Sequence, residues 1–154
     1  MTHLKEGMPA PQFTGIDQDG KKVDLSQLRG KKVVLYFYPR DNTPGCTAEA
    51  CNLRDNYSDL LNEGFIVLGV SPDSEKSHSG FREKYSLPFP LLSDPDKKIL
   101  GLYGTYGEKK MYGKTVVGVI RSTFIIDEKG IIEKIISKVD TAGHTAQILK
   151  LYDK

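Results

Sequence analysis

Lys32-Val33-Val34-Leu35-Tyr36-Phe37-Tyr38 is the run on which the fold turns. It is continuously apolar, β-branched and aromatic, without the alternation of a strand that has one wet face, so it reads as a strand covered on both sides. Such a strand is central in its sheet. After it, from Pro44 to about Glu63, apolar residues recur at Ala50, Leu53, Tyr57, Leu60 and Leu61, a helical stripe closed by Gly64 just past the C-cap. Phe65 to Val70 then repeats the buried-strand pattern. A helix joining two such strands is a crossover, and a crossover makes them parallel neighbours.

Working outward, Phe13 to Leu25 carries an Asp19-Gly20 turn between short strand-like pieces and predicts an N-terminal β-hairpin, followed by a helical turn over Ser26 to Gly30. Asp73-Ser74-Glu75 opens a helix through about Tyr85, and Ser86 to Pro90 breaks the chain before Leu91-Leu92. Asp94-Pro95 starts a third helix through Leu102, and the Gly-rich stretch Gly101 to Gly113 reads as a loop. Thr115 to Ile120 and Ser122 to Ile126 read as strand, turned at Asp127 to Gly130 into Ile131 to Ile136, and a last helix fits Gly143 to Tyr152. Parallel and antiparallel neighbours together predict an α/β fold with a mixed central sheet flanked by helices, which a thioredoxin-like layout satisfies. The expectation is a single domain over residues 1–154.

Composition excludes several function classes. Lys and Arg number 22 against 20 Asp and Glu, a net charge of +2 with no concentrated stretch of one sign, so neither nucleic acid nor a membrane surface is expected as partner. No run approaches the ~18 apolar residues of a membrane span, and Met1 to Pro9 lacks the apolar centre of a signal peptide. The expected location is the cytoplasm, and with no heptad or long apolar edge the default state is a monomer. Only two cysteines are present, and in a reducing compartment such a pair is more often catalytic or metal-binding than structural.

Cys46 stands where the first parallel strand gives way to its helix, and ligand sites of open α/β sheets lie at such carboxyl ends. Thr43 is expected as N-cap and Pro44 as the first helical residue, which puts Cys46 in the first turn, where free amides and the helix dipole favour a thiolate. Ionisation alone is a modest gain. A thiol of ordinary pKa is a few per cent ionised at pH 7, so full ionisation is worth about 30-fold, and fast chemistry also needs groups that stabilise the transition state. Thr43, backbone amides and a distant cation are the candidates.

Pro39-x-x-x-Thr43-x-x-Cys46 resembles the active-site motif of peroxiredoxins, and the run from Thr43 to Cys51 with Arg54-Asp55 resembles the bacterioferritin comigratory protein, or peroxiredoxin Q, subfamily. Tyr106 to Lys114 and Arg121 to Phe124 extend the likeness over nearly the whole chain. The resemblance implies that Cys46 is the peroxidatic cysteine, that Thr43 hydrogen-bonds the peroxide, and that Arg121 supports the thiolate and the transition state. It further implies that Pro39 shields the sulfur, Glu49 orients an arginine, and Cys51 resolves a sulfenic acid as an intramolecular disulfide. Hydroperoxide as substrate and thioredoxin or a similar dithiol as reductant follow from the same source, with no cofactor or metal.

Taken without that likeness, the residues leave other readings open. Cys51 beside Ala50 and Leu53 suits a core position, Thr43 is an N-cap in any protein, and Arg121 in a strand-rich segment is ordinary on a surface. His3, His78 and His144 lack ligand spacing and are expected at the surface. A thioredoxin-like disulfide oxidoreductase is one alternative function, disfavoured because it normally uses C-x-x-C; a non-enzymatic holdase or binding module on the same scaffold is another.

Overall fold

The computed structural model describes residues 2–152, which form a seven-stranded sheet and a separate two-stranded hairpin. In chain order the elements are β1 (Thr14–Ile16), β2 (Lys22–Asp24), a 3-10 turn (Leu25–Leu28), β3 (Lys32–Phe37), α1 (Pro44–Asp55), α2 (Tyr57–Asn62) and β4 (Phe65–Ser71). They continue with α3 (Glu75–Tyr85), β5 (Leu91–Ser93), α4 (Lys98–Leu102), β6 (Tyr106–Met111), β7 (Lys114–Val119), β8 (Ser122–Ile126), β9 (Ile132–Ile136) and α5 (His144–Lys150). The sheet order is β2-β1-β5-β4-β3-β8-β9. Strand β3 runs parallel to β4, and β4 to β5, whereas β8, β9 and the β1–β2 hairpin attach antiparallel.

Strand β3 explains its own composition. Val33, Leu35 and Phe37 enter one core with Phe13, Ile99, Tyr103 and Phe124, while Val34, Tyr36 and Tyr38 enter the other with Cys46, Leu53, Leu60, Phe81 and Ile148. No residue from Val33 to Tyr38 is more than 1% exposed. Each large apolar side chain so buried contributes about 1.5–3 kcal/mol, which makes this strand a main source of stability. Helices α1, α2, α3 and α5 cover the second face; α4 and the 3-10 turn cover the first.

Several expectations need correction. The stripe from Pro44 to Glu63 is two helices, broken at Asn56, which leaves helical geometry (φ −115°, ψ 13°). Its amide side chain donates to the Asn52 carbonyl at 2.8 Å, the competition with the backbone that makes asparagine a weak helix former. The third helix starts at Lys98: Asp94-Pro95 instead form a turn, after which Lys97 is left-handed (φ 59°) and the Asp94 carboxylate accepts the Ile99 and Leu100 amides. Gly101 to Gly113 is not all loop, because β6 pairs with β7 through a turn at Tyr112-Gly113, both at positive φ. That hairpin escaped reading because it is largely exposed and carries no core alternation. Smaller shifts put the α3 N-cap at Ser74 and the ends of α5 at His144 and Lys150.

Glycine marks one tight approach in the core. A Cβ on Gly69, opposite Tyr36 in the β3–β4 register, would lie 2.9 Å from both the Tyr36 ring and Leu91, whereas Gly80 on α3 has open space around it. Gly69→Ala is expected to lower stability by about 1–3 kcal/mol through overpacking. Gly80→Ala is expected to raise it by about 0.5–1 kcal/mol through helix propensity. Chemical denaturation of the two variants beside the parent protein reads both, and shifts of the same sign would contradict this account.

Candidate active site

The register of the sheet assembles the site. Strand β3 delivers the chain to α1 through residues 38–43, while antiparallel β8 begins at the same end, with Ser122 opposite Phe37. Arg121, one residue before β8, therefore arrives beside the start of α1. The Ile120 amide donates to the Thr105 carbonyl and Lys109 Nζ donates to the Val119 carbonyl, so the approach of this arginine is braced.

Cys46 is a free thiol, 2% exposed, in the first turn of α1. The Thr47 amide closes that turn on the Thr43 carbonyl at 2.8 Å, so the amides of Gly45 and Cys46 precede the first helical bond. Arg121 Nη2 donates to Cys46 Sγ at 3.2 Å, and Nη1 donates to Glu49 Oε1 at 2.7 Å. One planar guanidinium thus joins the sulfur to a carboxylate one helical turn further on. Gly45 makes room for it, since a Cβ there would stand 3.3 Å from Nη2.

Glu49 is completely buried, and burial pushes its carboxyl up to about 7 against the pull of Arg121 in the other direction. Burial works against the Arg121 charge, but Cys46 and Glu49 together outweigh it and hold the guanidinium above the ordinary arginine range. Behind Glu49 lies His144. Gln147 Oε1 accepts from the Asp140 amide while its nitrogen donates to the Lys138 carbonyl, so the 2.9 Å contact from His144 Nδ1 to that oxygen requires a proton on Nδ1. Burial lowers the His144 pKa, and the neutral ring accepts from Thr123 Oγ1 through Nε2 at 2.8 Å. Nε2 then has no proton for Glu49 Oε2, 3.6 Å away, and that oxygen has no partner among the described residues.

The remaining sequence candidates stand around this core. Thr43 occupies the N-cap position, yet its hydroxyl does not cap α1; it donates to the Arg40 carbonyl at 3.0 Å, which leaves its lone pairs free. Pro39 is half-buried where β3 ends. Cys51 is free and half-buried further along α1, and five residues of continuous helix put its Cα about 8.6 Å from that of Cys46. Asn52 ties this part of α1 to α5: it donates to the Ala142 carbonyl and accepts from the Thr145 amide, while its own carbonyl accepts from Thr145 Oγ1.

Sequence reasoning missed two buried histidines. His78 and His144 are both 0% exposed, against the surface expected for them, whereas His3 is exposed as expected. Neither carried a signal, because a histidine satisfied by hydrogen bonds from distant elements looks locally like any other. Asp41, Asp73 and His78 bring potential ligand atoms within 4.8 Å of one another. Protein groups already engage these atoms, as Tyr38, Ser77 and His78 contact the Asp41 carboxylate and Ser71 and the Asp41 amide donate to Asp73. A surface cleft of about 530 Å³ lined by Gly15, Asp94 and Ile99 contains no residue of the Cys46 site. No helix among the described residues is long and apolar enough to cross a membrane.

Comparison with known proteins gives a consistent result. The AhpC/TSA family pattern matches residues 7–135. A Mycobacterium tuberculosis relative that bears a peroxiredoxin name is 50% identical over 147 residues, 96% of this chain and 94% of its own. Peroxiredoxin Bcp of Escherichia coli is 44% identical over 149 residues, 97% of this chain and 96% of its own. Among solved structures, that of PrxQ from Xylella fastidiosa superposes with a TM-score of 0.90 at 32% identity over 100% of both chains. The bacterioferritin comigratory protein of Xanthomonas campestris, studied for alkyl peroxide reduction, gives 0.87 at 35% identity, covering 99% of this chain and 98% of its own. The sheet described above is thus the thioredoxin-like fold of these enzymes, and the chain belongs to the AhpC/TSA family as a peroxiredoxin of the Bcp, or peroxiredoxin Q, kind.

Proposed function

We propose that the chain reduces hydrogen peroxide and organic hydroperoxides with Cys46 as nucleophile and Cys51 as resolving thiol. The observation that carries this is the Arg121 guanidinium, held on buried Glu49 and aimed at Cys46 Sγ. The Cys46 thiolate attacks the terminal peroxide oxygen, an S–O bond forms as the O–O bond breaks, and the sulfur becomes a sulfenic acid while the other oxygen departs, once protonated, as water or an alcohol. Arg121 stabilises charge on the sulfur and, as the O–O bond stretches, on the oxygens. Thr43, its proton directed to Arg40, accepts a hydrogen bond from the peroxide, and Pro39 limits water at the sulfur.

Cys51 then attacks the sulfenic sulfur, water leaves, and a disulfide forms that thioredoxin or a similar dithiol reduces. Both electrons move between sulfur and oxygen, so the cycle needs neither cofactor nor metal. The study of alkyl peroxide reduction by the Xanthomonas relative supports including organic hydroperoxides. A chain with only two cysteines and no concentrated charge suits one independent domain, a monomer in the reducing cytoplasm.

Intact-mass measurement after one equivalent of hydrogen peroxide is expected to show loss of two hydrogens. Cys46→Ser is expected to keep less than about a tenth of the peroxide consumption, because a serine hydroxyl is not ionised at neutral pH. An unchanged mass would remove the proposal.

The raised Glu49 pKa has two consequences of opposite sign. Below about 7 the carboxyl is protonated and loosens its hold on Arg121, so the rate of Cys46 oxidation per thiolate is expected to rise as pH passes upward through that value, with Glu49→Gln flat. Stability moves the other way. The folded state binds a proton at Glu49 that the unfolded state, with its ordinary value of 4.5, has released, so this group loses stability as pH rises from there to about 7. Glu49→Gln is therefore expected to gain stability relative to the parent protein across that window, read by denaturation at several pH values; a constant difference would refute the assignment.

Disulfide formation requires α1 to unwind, since about 8.6 Å between the Cα atoms exceeds the roughly 6.8 Å a disulfide spans. The bonds of Asn52 to residues 142–145 and the burial of Leu53 fix where unwinding stops. Hydrogen exchange is expected to speed up on oxidation over residues 44–51 and to stay unchanged from Leu53 to Leu60. Unchanged protection over 44–51 in a protein shown by mass to hold the disulfide would overturn this.

A further inference from the structure

Residues 39–43 bring Thr43 to the sulfur and start the Cys46 helix, yet they have little to hold them in place by themselves. Asn42 sits at positive φ (62°), Arg40 is exposed, and the Thr43 side chain makes no capping bond. What holds the loop comes mainly from α3, which lies outside the Cys46 site, and from Tyr38 and Asp73, just past the ends of β3 and β4. The Asp41 side chain turns inward, only 3% exposed, to a completely buried His78 on α3, with Nδ1 2.7 Å from Oδ2. Tyr38 Oη donates to Asp41 Oδ1 at 2.6 Å and Ser77 Oγ to Oδ2 at 2.8 Å. The Asp41 amide donates to Asp73 Oδ2 at 2.7 Å, and Asn42 Oδ1 accepts from Tyr85 Oη at 3.2 Å and Lys84 Nζ at 3.4 Å.

Proton accounting identifies this pair as more than a packing contact. His78 Nε2 lies 2.9 Å from the Leu92 carbonyl, which can only accept, so Nε2 carries a hydrogen. Nδ1 faces a carboxylate oxygen, so a second proton lies between Nδ1 and Oδ2, shared as an imidazolium–carboxylate pair or as a neutral one. Every polar atom of the pair is thereby satisfied in the core. A well-packed apolar pair of similar volume would generally serve stability as well or better, so stability alone does not account for the polar pair.

We propose that His78 is a positioning residue for the peroxide step: through Asp41 it fixes the 39–43 loop, and with it Thr43, at the distance from Cys46 that peroxide attack requires. This rests on the peroxidase reading above. His78 touches neither the sulfur nor Arg121, and it acts only through Asp41. Misplacing a substrate-binding group by about 1 Å can cost 100-fold in rate. Alkylation of the same sulfur makes no use of Thr43. Peroxide and alkylating reagent must therefore respond differently.

The test measures two second-order rate constants on each variant, for Cys46 with hydrogen peroxide and with iodoacetamide, at a pH where the thiol is ionised. His78→Gln and Asp41→Ala are expected to lower the peroxide constant at least about tenfold while alkylation stays within about twofold. Asp41→Asn is expected to restore the peroxide constant to within about threefold, because its amide donates to neutral Nδ1 and its oxygen still accepts from Tyr38. Should the drastic variants not fold, Tyr38→Phe removes one bond to Asp41 and leaves the pair, and a peroxide constant lowered about threefold with alkylation unchanged supports the proposal. Peroxide constants equal to the parent protein's, or equal falls in both constants, overturn it. If the parent protein itself shows no preference for peroxide over iodoacetamide, the peroxidase reading fails instead, so the two failures are told apart.

Discussion

A single guanidinium serves two side chains, a thiol and a carboxyl, that the fold has taken out of water. Glu49 is fully buried with one oxygen unpartnered, a position a carboxylate tolerates poorly, and the 2.7 Å bond from Arg121 is the main compensation available to it. In return Glu49 fixes the plane of the guanidinium, so the second nitrogen is aimed at Cys46 Sγ rather than left to sample solvent. A lysine could not do this, because its ammonium is a point charge without a fork. Residues 46 and 49 lie one turn apart on α1, and Arg121 reaches both only because β8 runs antiparallel to β3 in the register that sets Ser122 against Phe37. Moving β8 by one residue would turn Arg121 to the opposite face of the sheet.

Reading that arrangement from sequence succeeds where the signal is local. The run from Val33 to Tyr38 declares burial on both faces, and Pro44-Gly45-Cys46 declares a helix start with a thiol in its first turn. The Asp19-Gly20 and Asp127-to-Gly130 turns declare their hairpins, and both are present. Where the signal depends on distant partners, local reading fails. The break at Asn56 comes from a side chain bonding four residues back, and the β6–β7 hairpin has no buried face to give it a pattern. His144 and His78 are buried because Thr123 and Gln147, and Asp41 and Leu92, lie beside them only in the folded chain.

The candidate site divides along the same line. Cys46 and Thr43 are legible from the helix start, whereas the spacing leaves Cys51 open to a core position, and the peroxiredoxin likeness supplies all three roles. Arg121 and Glu49 enter through that likeness alone, which gives Glu49 an arginine to orient; 72 residues separate them and neither segment by itself indicates an ion pair. The hydroxyl of Thr43 shows how position and role part company: its place at the N-cap is read correctly, but its proton goes to the Arg40 carbonyl and it caps nothing.

Helix α1 has to meet two opposed demands. In the proposed cycle peroxide reduction needs its first turns ordered, so that Cys46 and Glu49 both meet Arg121, and disulfide formation needs the same turns undone. The distribution of contacts along the helix meets both. Its N-terminal half has Thr43 without a capping bond and Gly45 with the low helix propensity of glycine, and Arg121 ties it through both Cys46 Sγ and Glu49 Oε1. Its C-terminal half is held by Leu53 in the core, by Asn52 on residues 142–145, and by Arg54 donating to the Tyr85 carbonyl at 2.7 Å. In the proposed cycle a neutral sulfenic acid replaces the thiolate that attacks, so oxidation loosens the tie from Arg121 to the sulfur in the first half and leaves the second untouched. The chemistry of the first step thereby weakens the structure that the second step must open.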